Sequence, residues 1–295
     1  MRFVVLGDLH FSSYSSPTHR MARNRFFKAL FTQVVKLQPD LIFALGDTTN
    51  RGTIEELSEQ DELAAKSDLR LSRITGNHDT DSLEKPEIAS FFLGDHPSAS
   101  PSELYTSFDH GATHFVLLDT SRVKVSEVDW SGFVSDDQLT WLKEEIARFN
   151  AETESKNFIV LGHHPLYDTT HRSIKEGLNI TNSQAVQDIF ATLVRGHGIY
   201  FSGHNHSNSI FGPDSLGWHY LQVGAPLNCQ SFQVVTVTQD SFELETIDLD
   251  LSEPELRADF ETTRCNIEGG FKLYPLEIFR GTPADRKLCI KLNQT

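Results

Sequence analysis

Cysteine is scarce in this chain: there are three among 295 residues, and Cys229, Cys265 and Cys289 lie too far apart to form a C-x-x-C pair. This spacing is typical of reduced thiols in a cytoplasmic protein. Long apolar runs are also missing. No stretch approaches the roughly 20 apolar residues that a membrane span needs, and the first apolar run is shorter than that of a signal peptide. We therefore expect a soluble, cytoplasmic protein with no membrane partner.

Positively charged residues are also few. The chain has 26 Lys and Arg residues against 41 Asp and Glu residues, which gives a formal net charge of -15. Such a chain repels polyanions, so we expect neither a nucleic acid polymer nor an anionic membrane surface as a partner. A small phosphate compound stays open as a ligand, since bound divalent cations reverse the field inside a carboxylate-lined site. The length fits one large α/β domain with a sizeable core, or two modest ones.

What the sequence does have is a recurring pattern, in which a short apolar run stops at a glycine and a polar side chain. The clearest case is the run at residues 41–45, which stops at Gly46 and Asp47. Consecutive apolar residues predict a strand buried on both faces, with Asp47 at its carboxyl end, where open α/β sheets place their sites. The segments with this pattern are Gly7-Asp8-Leu9-His10, Gly46-Asp47, Gly76-Asn77-His78-Asp79, Gly162-His163-His164 and Gly203-His204-Asn205-His206.

Two of these segments carry candidate ligands two residues apart. Asp8 and His10 can both point at one ion, and His204 and His206 can reach the same cluster from the opposite side. The glycine in each segment lets the backbone turn sharply and approach an ion closely. We therefore predict that the segments converge around two metal ions, with Asp47 as the bridging ligand.

In order along the chain, these motifs read D-x-H, G-D, G-N-H-D, H and G-H-x-H, and they span residues 7–206. This pattern resembles the calcineurin-like metallophosphoesterases. In the pair His163-His164 the family's H-x-P form favours His163 as the ligand. Carried over position by position, the family's ligands are Asp8, His10, His206 and the bridging Asp47 for the first metal, and Asn77, His163, His204 and again Asp47 for the second.

The chemistry of such a centre agrees with this assignment. A carboxylate can span two ions ~3.5–4 Å apart, which polarise the phosphoryl oxygens and convert a water between them into a hydroxide nucleophile. Imidazole and oxygen ligands without thiolate suit Mn, Fe or Zn, and do not choose among them. The expected cofactors are therefore two divalent or mixed-valence metal ions.

His78 and Asp79 are the candidate catalytic residues beside the metals. His78 follows the ligand Asn77, so it could contact the phosphoryl group or protonate the departing alkoxide. Asp79 could fix the orientation of the His78 ring from behind. The alternative is a loop histidine that only makes structural hydrogen bonds.

Two positions bear on the branch of the family. In purple acid phosphatases a tyrosine three residues after the Gly-Asp aspartate ligates ferric iron, whereas this chain has Asn50, so we expect no such ferric centre. Residues 46–52 also resemble the G-D-x-V-D-R-G element of the protein serine/threonine phosphatases. Arg51 would then grip a phosphate, with a solvated loop arginine as the alternative. Asp79 and the doublet His204-Asn205-His206 fit better with the class III cyclic-nucleotide phosphodiesterase branch.

The resemblance implies an enzyme, a metal-dependent phosphohydrolase acting on a small phosphodiester, with a 3′,5′-cyclic nucleotide as one such substrate. The alternatives are a phosphomonoesterase or nucleotide pyrophosphatase on the same metal centre, and a binding module that has lost catalysis. Specificity is expected to lie in the polar loops at residues 80–107 and 166–181, which carry no recognisable signature.

The resemblance also implies the fold, an α/β protein arranged as a four-layer α/β/β/α sandwich. Apolar residues at helical spacing predict a helix over residues 26–35, between two parallel strands. Alternating runs at residues 218–223, 232–237 and 242–247 predict antiparallel strands, which we expect to build the second sheet. We predict a main domain at residues 1–250 and a C-terminal extension at 251–295. The extension would pack on the domain or on a partner subunit, as in a homodimer.

Overall fold

The computed structural model describes residues 1–123, 126, 129–152, 157–267 and 276–292. Strands and helices alternate through most of this part of the chain, as the apolar runs and stripes predict. The elements in chain order are β1 (Arg2–Leu6), α1 (Pro17–Val35), β2 (Leu41–Leu45), α2 (Ile54–Ala65), β3 (Ser72–Ile74), α3 (Lys85–Ile88), β4 (Thr106–His110), β5 (Thr113–Leu117), α4 (Asp136–Ala151), β6 (Asn157–Leu161), α5 (Ser183–Phe190), β7 (His197–Ser202), β8 (Ser209–Phe211), β9 (His219–Gln222), α6 (Pro226–Cys229), β10 (Ser231–Val237), β11 (Ser241–Asp248), α7 (Pro254–Asn266), α8 (Glu277–Arg280) and β12 (Lys287–Lys291).

The first sheet has the strand order β12-β11-β10-β1-β2-β3. Strands β1, β2 and β3 run parallel, with Phe3 opposite Leu41 and Leu45 opposite Ile74, so the predicted β1-α1-β2 unit is confirmed. On the other side of β1, strand β10 pairs antiparallel, and β11 and β12 continue the antiparallel half.

The second sheet has the order β4-β5-β6-β7-β9-β8, in which β5, β6, β7 and β9 are parallel. The prediction that the alternating C-terminal strands build this sheet is wrong for β10 and β11, which belong to the first sheet. Only β9, from the first of the three alternating runs, lies in the second sheet, where it pairs antiparallel to β8 and parallel to β7. An alternating pattern identifies a strand, but it does not say which of two sheets offers the free edge that the strand joins.

The two sheets pack face to face, and helices cover their outer faces. Strand β1 shows the alternation, because Phe3 points between the sheets while Val4 points towards α1. The Phe3 ring makes edge contacts with Phe43 of its own sheet and with Phe115 and Phe201 of the other, at centroid distances of 5.9, 5.4 and 6.1 Å. A separate apolar cluster joins the second sheet to α4 and α5. The predicted four-layer α/β/β/α sandwich is confirmed.

Helix α1 buries the predicted apolar stripe but begins earlier than the stripe suggests, at Pro17 behind the cap residue Ser16. Thr53 and Ser135 cap α2 and α4 by accepting the backbone N–H three residues on, at the spacing of a capping box in the sequence patterns Thr53-x-x-Glu56 and Ser135-x-x-Gln138. Gln138 does not complete the box at α4. Gln138 instead brackets the backbone of Asp119, accepting from its N–H at 2.9 Å and donating to its carbonyl at 2.8 Å.

The C-terminal residues that the structure describes contact the first sheet and its helix layer. Helix α7 packs along α1, where Arg25 forms a two-pronged ion pair with Asp259 at 2.5 and 2.6 Å. Strand β12 pairs with β11 at the edge of the first sheet. The division at residue 250 and the partner subunit stay predictions. None of the described helices has the length and apolar character that crossing a membrane requires.

Candidate metal centre

The candidate ligands lie at one edge of the sandwich, where the carboxyl ends of strands from both sheets meet. Strands β1, β2 and β3 of the first sheet deliver Asp8, Asp47 and Asn77, while β6 and β7 of the second deliver His163 and His204. The backbone N–H of His204 donates to both carboxylate oxygens of Asp8, at 2.9 and 3.1 Å, and so ties the two sheets together at this edge.

Asp47 occupies the middle of the cluster. Its Oδ2 lies 3.3 Å from Nε2 of His163 and 3.8 Å from Nε2 of His10, and its Oδ1 accepts a hydrogen bond of 2.8 Å from the backbone N–H of His78. The carboxylate therefore faces ring nitrogens from both sheets. Such a position suits a ligand shared by two ions.

The inner ring nitrogens face one another in pairs. Nε2 of His10 lies 3.1 Å from Nε2 of His206, and Nε2 of His163 lies 3.2 Å from Nδ1 of His204 and 3.1 Å from Oδ1 of Asn77. Donor atoms of Asp8, His10 and His206 also lie within 4.8 Å of one another. Lone pairs that converge in this way, from nitrogen and oxygen atoms without sulfur, fit a first-row divalent cation.

The outer ring nitrogens make hydrogen bonds that set the tautomers. Nδ1 of His163 lies 2.6 Å from the carbonyl of Leu45, and Nε2 of His204 lies 3.3 Å from the carbonyl of Gly177. A carbonyl can only accept, so the outer nitrogen carries a proton and the inner nitrogen is the one that an ion would bind. Carbonyl partners of this kind orient histidines that bind metals. These nitrogen and oxygen atoms are therefore arranged as metal ligands are.

Burial and mutual charge shift the protonation of the central groups. Burial raises the pKa of Asp8 to about 7. Burial also opposes ionisation of Asp47, but the adjacent His163 holds the pKa of that carboxyl well below its ordinary value. Burial is the largest single effect on His163 and lowers its pKa, but the charges of Asp47 and Asp8 and the hydrogen bonds to Asp47 and Leu45 together raise the pKa to about 9. Asp47 and His163 thus form an ion pair, and a cation bound at Nε2 would replace that proton.

The remaining imidazoles are neutral near pH 7. Burial lowers the pKa of His204 to about 3 and that of His206 to about 4, and it lowers the pKa of His10 well below its ordinary value. Neutral imidazole is the form that coordinates metals. These rings therefore need no deprotonation before a cation binds.

Several candidate ligands have a backbone conformation that is uncommon for residues with a side chain. The φ angles of His10, Asp47, His204 and His206 are 45°, 45°, 65° and 58°. Left-handed conformations cost free energy and cluster at functional sites. Gly76 makes room for this arrangement, because a Cβ there would lie 2.1 Å from the backbone nitrogen of Asp47 and 2.3 Å from its Oδ1.

His164, the neighbour that the sequence pattern leaves aside, has both ring nitrogens engaged outside the cluster. Nε2 lies 3.0 Å from the carbonyl of Trp130, and Nδ1 lies 2.9 Å from the hydroxyl of Thr120. Because Nε2 must donate to the carbonyl, Nδ1 accepts from the hydroxyl, and no lone pair remains for an ion. The ring instead packs against His204, with centroids 4.4 Å apart.

The predicted contact between Asp79 and the His78 ring is wrong. Asp79 is buried and accepts from the backbone N–H groups of Thr49 and Gly76, both at 2.9 Å, and from the hydroxyls of Thr48 and Thr49 at 3.0 and 2.8 Å. It therefore shapes the loop after β2 that carries Asp47. The His78 ring is held by the carbonyl of Asn50, which lies 2.8 Å from its Nδ1.

Two residues near the centre carry no signal in the sequence. Asn228 holds the outer nitrogen of His206, with its Oδ1 3.0 Å from Nδ1, and the indole ring of Trp130 stacks on His78. Neither belongs to a motif, so only proximity in the fold reveals them. Arg51 is exposed, and its contact with a phosphate stays a prediction.

A pocket of about 810 Å³ opens beside Asn77. Its wall includes part of the predicted specificity loop, with Leu83 and Lys85, and residues after β5, such as Arg122 and Phe133. Both cations are paired: Lys85 with Asp119 at 2.7 Å and Arg122 with Asp129 at 2.8 Å. The pocket has the size of a typical site for a small organic molecule.

A two-sheet sandwich with converging Asp, Asn and His side chains at one edge defines the class of metal-dependent hydrolases. The comparisons with known proteins identify the family. The chain belongs to the calcineurin-like phosphoesterases, whose family model matches residues 1–208. The protein is therefore a phosphohydrolase that uses divalent metal ions, as the sequence motifs predict.

The similar proteins are distant. The chain is 27% identical over 210 residues to a probable cyclic nucleotide phosphodiesterase of Rhodopseudomonas palustris, covering 70% of this chain and 72% of the relative. It is 21% identical over 211 residues to one of Ruthia magnifica, covering 71% and 80%. A dimetal phosphatase from Danio rerio superposes with a TM-score of 0.70 over 84% of this chain and 97% of that one, at 14% identity, which shows a shared fold.

Proposed function

We propose that this protein is a binuclear metal-dependent phosphodiesterase that hydrolyses a small phosphodiester, with 3′,5′-cyclic nucleotides as the first substrates to test. The observation that carries the proposal is the inward convergence of the ring nitrogens of His10, His163, His204 and His206 around Asp47. The relatives named probable cyclic nucleotide phosphodiesterases support the choice of substrate.

The two cations would be held as the motif comparison suggests. Asp8, His10 and His206 would hold one ion, and Asn77, His163 and His204 the other, with Asp47 shared between them. When bound, the ions would polarise the phosphoryl oxygens and lower the pKa of the attacking water. The donor set suits Mn, Fe or Zn, and elemental analysis of protein purified without added metal would identify them.

His78 is the residue proposed to act on the leaving group. Its backbone N–H binds Asp47, which places the residue at the cluster, and its Nδ1 is held by the carbonyl of Asn50. Nε2 is then the nitrogen that can meet the departing oxygen. The pocket beside Asn77 would receive one ester group of the substrate, and its volume supports a small molecule over a polymer.

The test compares bis-p-nitrophenyl phosphate with p-nitrophenyl phosphate in Mn²⁺, followed by a panel of 3′,5′-cyclic nucleotides. We expect the diester to have the higher kcat/KM. The variant Asp47→Asn should lose activity with both, whereas Asp95→Asn, an exposed site of the same chemistry, should retain it. A preference for the monoester would replace the proposal with a phosphomonoesterase. Inactivity of the metal-loaded protein on the whole panel would instead favour a binding module.

A further inference from the structure

A second cleft lies beside the ligand segment that follows β7. It has a volume of about 470 Å³ and lies between the predicted specificity loop at residues 166–181 and helix α8. We call it the basic cleft. Its lining residues are His171, Arg172, Ile174, Lys175, Ile278 and Phe279.

The cations of the basic cleft lack ion-pair partners among the residues that the structure describes. Neither Arg172 nor Lys175 forms a salt bridge there, although the chain has 41 acidic residues against 26 basic ones. The nearby carboxylate of Asp285 is engaged by the backbone N–H groups of Ile210, at 3.1 Å, and Thr282, at 2.9 Å. A local positive site of this kind attracts anions that the rest of the molecule repels.

The loop that carries these cations is ordered by its own hydrogen bonds. The hydroxyl of Ser173, which is fully buried, accepts from the backbone N–H groups of Thr169 and Thr170 at 3.0 Å each. The side-chain amide of Asn179 donates to the carbonyls of Ser173 and Lys175 at 2.8 and 2.9 Å. The backbone positions of Arg172 and Lys175 are therefore fixed before any ligand arrives, which reduces the entropy cost of binding.

Both walls of the basic cleft are attached to the segment that holds His204 and His206. The side chain of Asn205, between these two residues, donates to the carbonyl of His171 at 3.2 Å. On the opposite wall, the backbone N–H of Asn208 donates to the carbonyl of Phe279 at 2.9 Å. The cleft is thus attached to the metal centre through Asn205 and Asn208, which lie one and two residues away from the candidate ligands.

We propose that the basic cleft binds a second anionic group of the substrate, a phosphate carried on one of the two ester groups of the phosphodiester, while the pocket beside Asn77 receives the other ester group. The guanidinium fork of Arg172 and the ammonium of Lys175 would contact the phosphate oxygens. The exposed side chains of Ile174 and Ile278 would cover the carbon skeleton between the two phosphates. This inference rests on the proposed function, and it narrows the substrate class to phosphodiesters with an additional phosphate.

The test uses two probes that differ by one phosphate: thymidine 5′-(4-nitrophenyl phosphate) and the same ester with a 3′-phosphate. Both are assayed with the Mn²⁺-loaded protein by release of 4-nitrophenolate. We expect the 3′-phosphorylated ester to have a kcat/KM about tenfold higher, as two exposed ion pairs can provide. In the double variant R172Q/K175Q this preference should disappear through a rise in KM, with hydrolysis of the simple ester unchanged. The control K28Q/K143Q, which removes two exposed charges elsewhere, should keep the preference.

The outcomes separate the two proposals. If neither ester is hydrolysed, the proposed function itself fails. If both are hydrolysed equally well by the wild-type protein, or if the control variant loses the preference as R172Q/K175Q does, the cleft inference fails alone. Acceleration of the simple ester by free thymidine 3′-phosphate would also overturn it, because the cleft would then bind a separate effector.

Discussion

The imidazole ring of His78 stacks on the indole ring of Trp130, with centroids 5.4 Å apart and ring planes within 9°. The ring edge is fixed as well, because Nδ1 of His78 lies 2.8 Å from the carbonyl of Asn50. Together the two contacts define the plane and the rotation of the ring. The carbonyl of Trp130 also accepts a hydrogen bond from His164, whose ring packs against the candidate ligand His204. Trp130 thus contacts both His78 and a residue that borders the metal centre.

The stack makes Trp130 a positioning residue. We expect Trp130→Ala to lower kcat on the diester substrate about tenfold, because a misaligned His78 ring loses part of its general-acid contribution. Metal content, measured by elemental analysis, should not change. Trp130→Phe retains an aromatic face and should keep most of the activity. Equal losses in both variants would contradict the stacking role.

His78 itself should matter in proportion to how poor the leaving group is. For a diester with an aliphatic alcohol, His78→Ala should reduce kcat about 100-fold or more, since an alkoxide needs a proton as it departs. For a 4-nitrophenyl ester the loss should be much smaller, because 4-nitrophenolate leaves without protonation. The measurement is the ratio of the two losses at constant metal content. If both metals are lost from the variant, the assigned role is wrong.

Asp79 is expected to act through structure. The backbone N–H groups of Thr49 and Gly76 donate to different oxygens of the carboxylate. Replacement by Asn keeps one oxygen and puts an NH₂ group in place of the other, so this NH₂ group faces one of the two N–H groups and both donors lose their acceptor. Such unsatisfied buried donors cost about 1–3 kcal/mol each, so the free energy of unfolding should fall by several kcal/mol. Urea unfolding of Asp79→Asn and of the exposed control Asp95→Asn measures this. An Asp79→Asn protein of wild-type stability would refute the loop-shaping role.

Asn228 should tune metal affinity through His206. Removing its oxygen in Asn228→Ala frees the His206 ring to rotate, and losses of this kind typically weaken metal binding about 10–100-fold. Asn228→Asp keeps an acceptor at the same place and should preserve the affinity. Competition with a chelator of known affinity measures both. A wild-type affinity in Asn228→Ala would show that another contact orients the ring.

Away from the centre, Glu145 predicts a pH dependence of stability. Burial raises the pKa of Glu145. The hydrogen bonds from His114 and Ser107 and the charge of Arg148 together lower the pKa by more than burial raises it, so the net pKa lies below the ordinary value. A lowered pKa stabilises the folded protein above the unfolded-state value, about 4.3, and this contribution is lost as the pH falls through the folded-state value. At pH 7, Glu145→Gln should therefore lower the free energy of unfolding by about 1–3 kcal/mol.

The same variant provides its own control at acid pH. As the pH falls from the unfolded-state value, about 4.3, through the lower folded-state value, the wild-type carboxyl becomes protonated, so the difference between the two proteins should shrink. Urea unfolding at several pH values measures the difference. A constant difference across the range would mean that the loss comes from packing alone.

The features decided locally were predictable from the sequence. An apolar run that stops at a glycine and a polar side chain indicates a buried strand and its carboxyl end within ten residues, and this pattern identified the turns after β1, β2, β3, β6 and β7. The order of the motifs also led to the family, which the family model confirms over residues 1–208. The caps Thr53 and Ser135 were visible because a cap and the N–H that it binds lie three residues apart.

Contacts between distant parts of the chain were decided only by the tertiary structure. The antiparallel strands β10 and β11 joined the first sheet because β1 offered them an edge there. Asp79 accepts hydrogen bonds from the loop after β2, and the His78 ring stacks on Trp130. Both contacts depend on how the sheets and loops pack, because the partners are far apart in the sequence. The sequence therefore determined which side chains stand at the strand ends, since that depends on a few neighbouring residues. Which of these side chains contact one another depends on how the two sheets pack around a shared core, and no local sequence pattern specifies that packing.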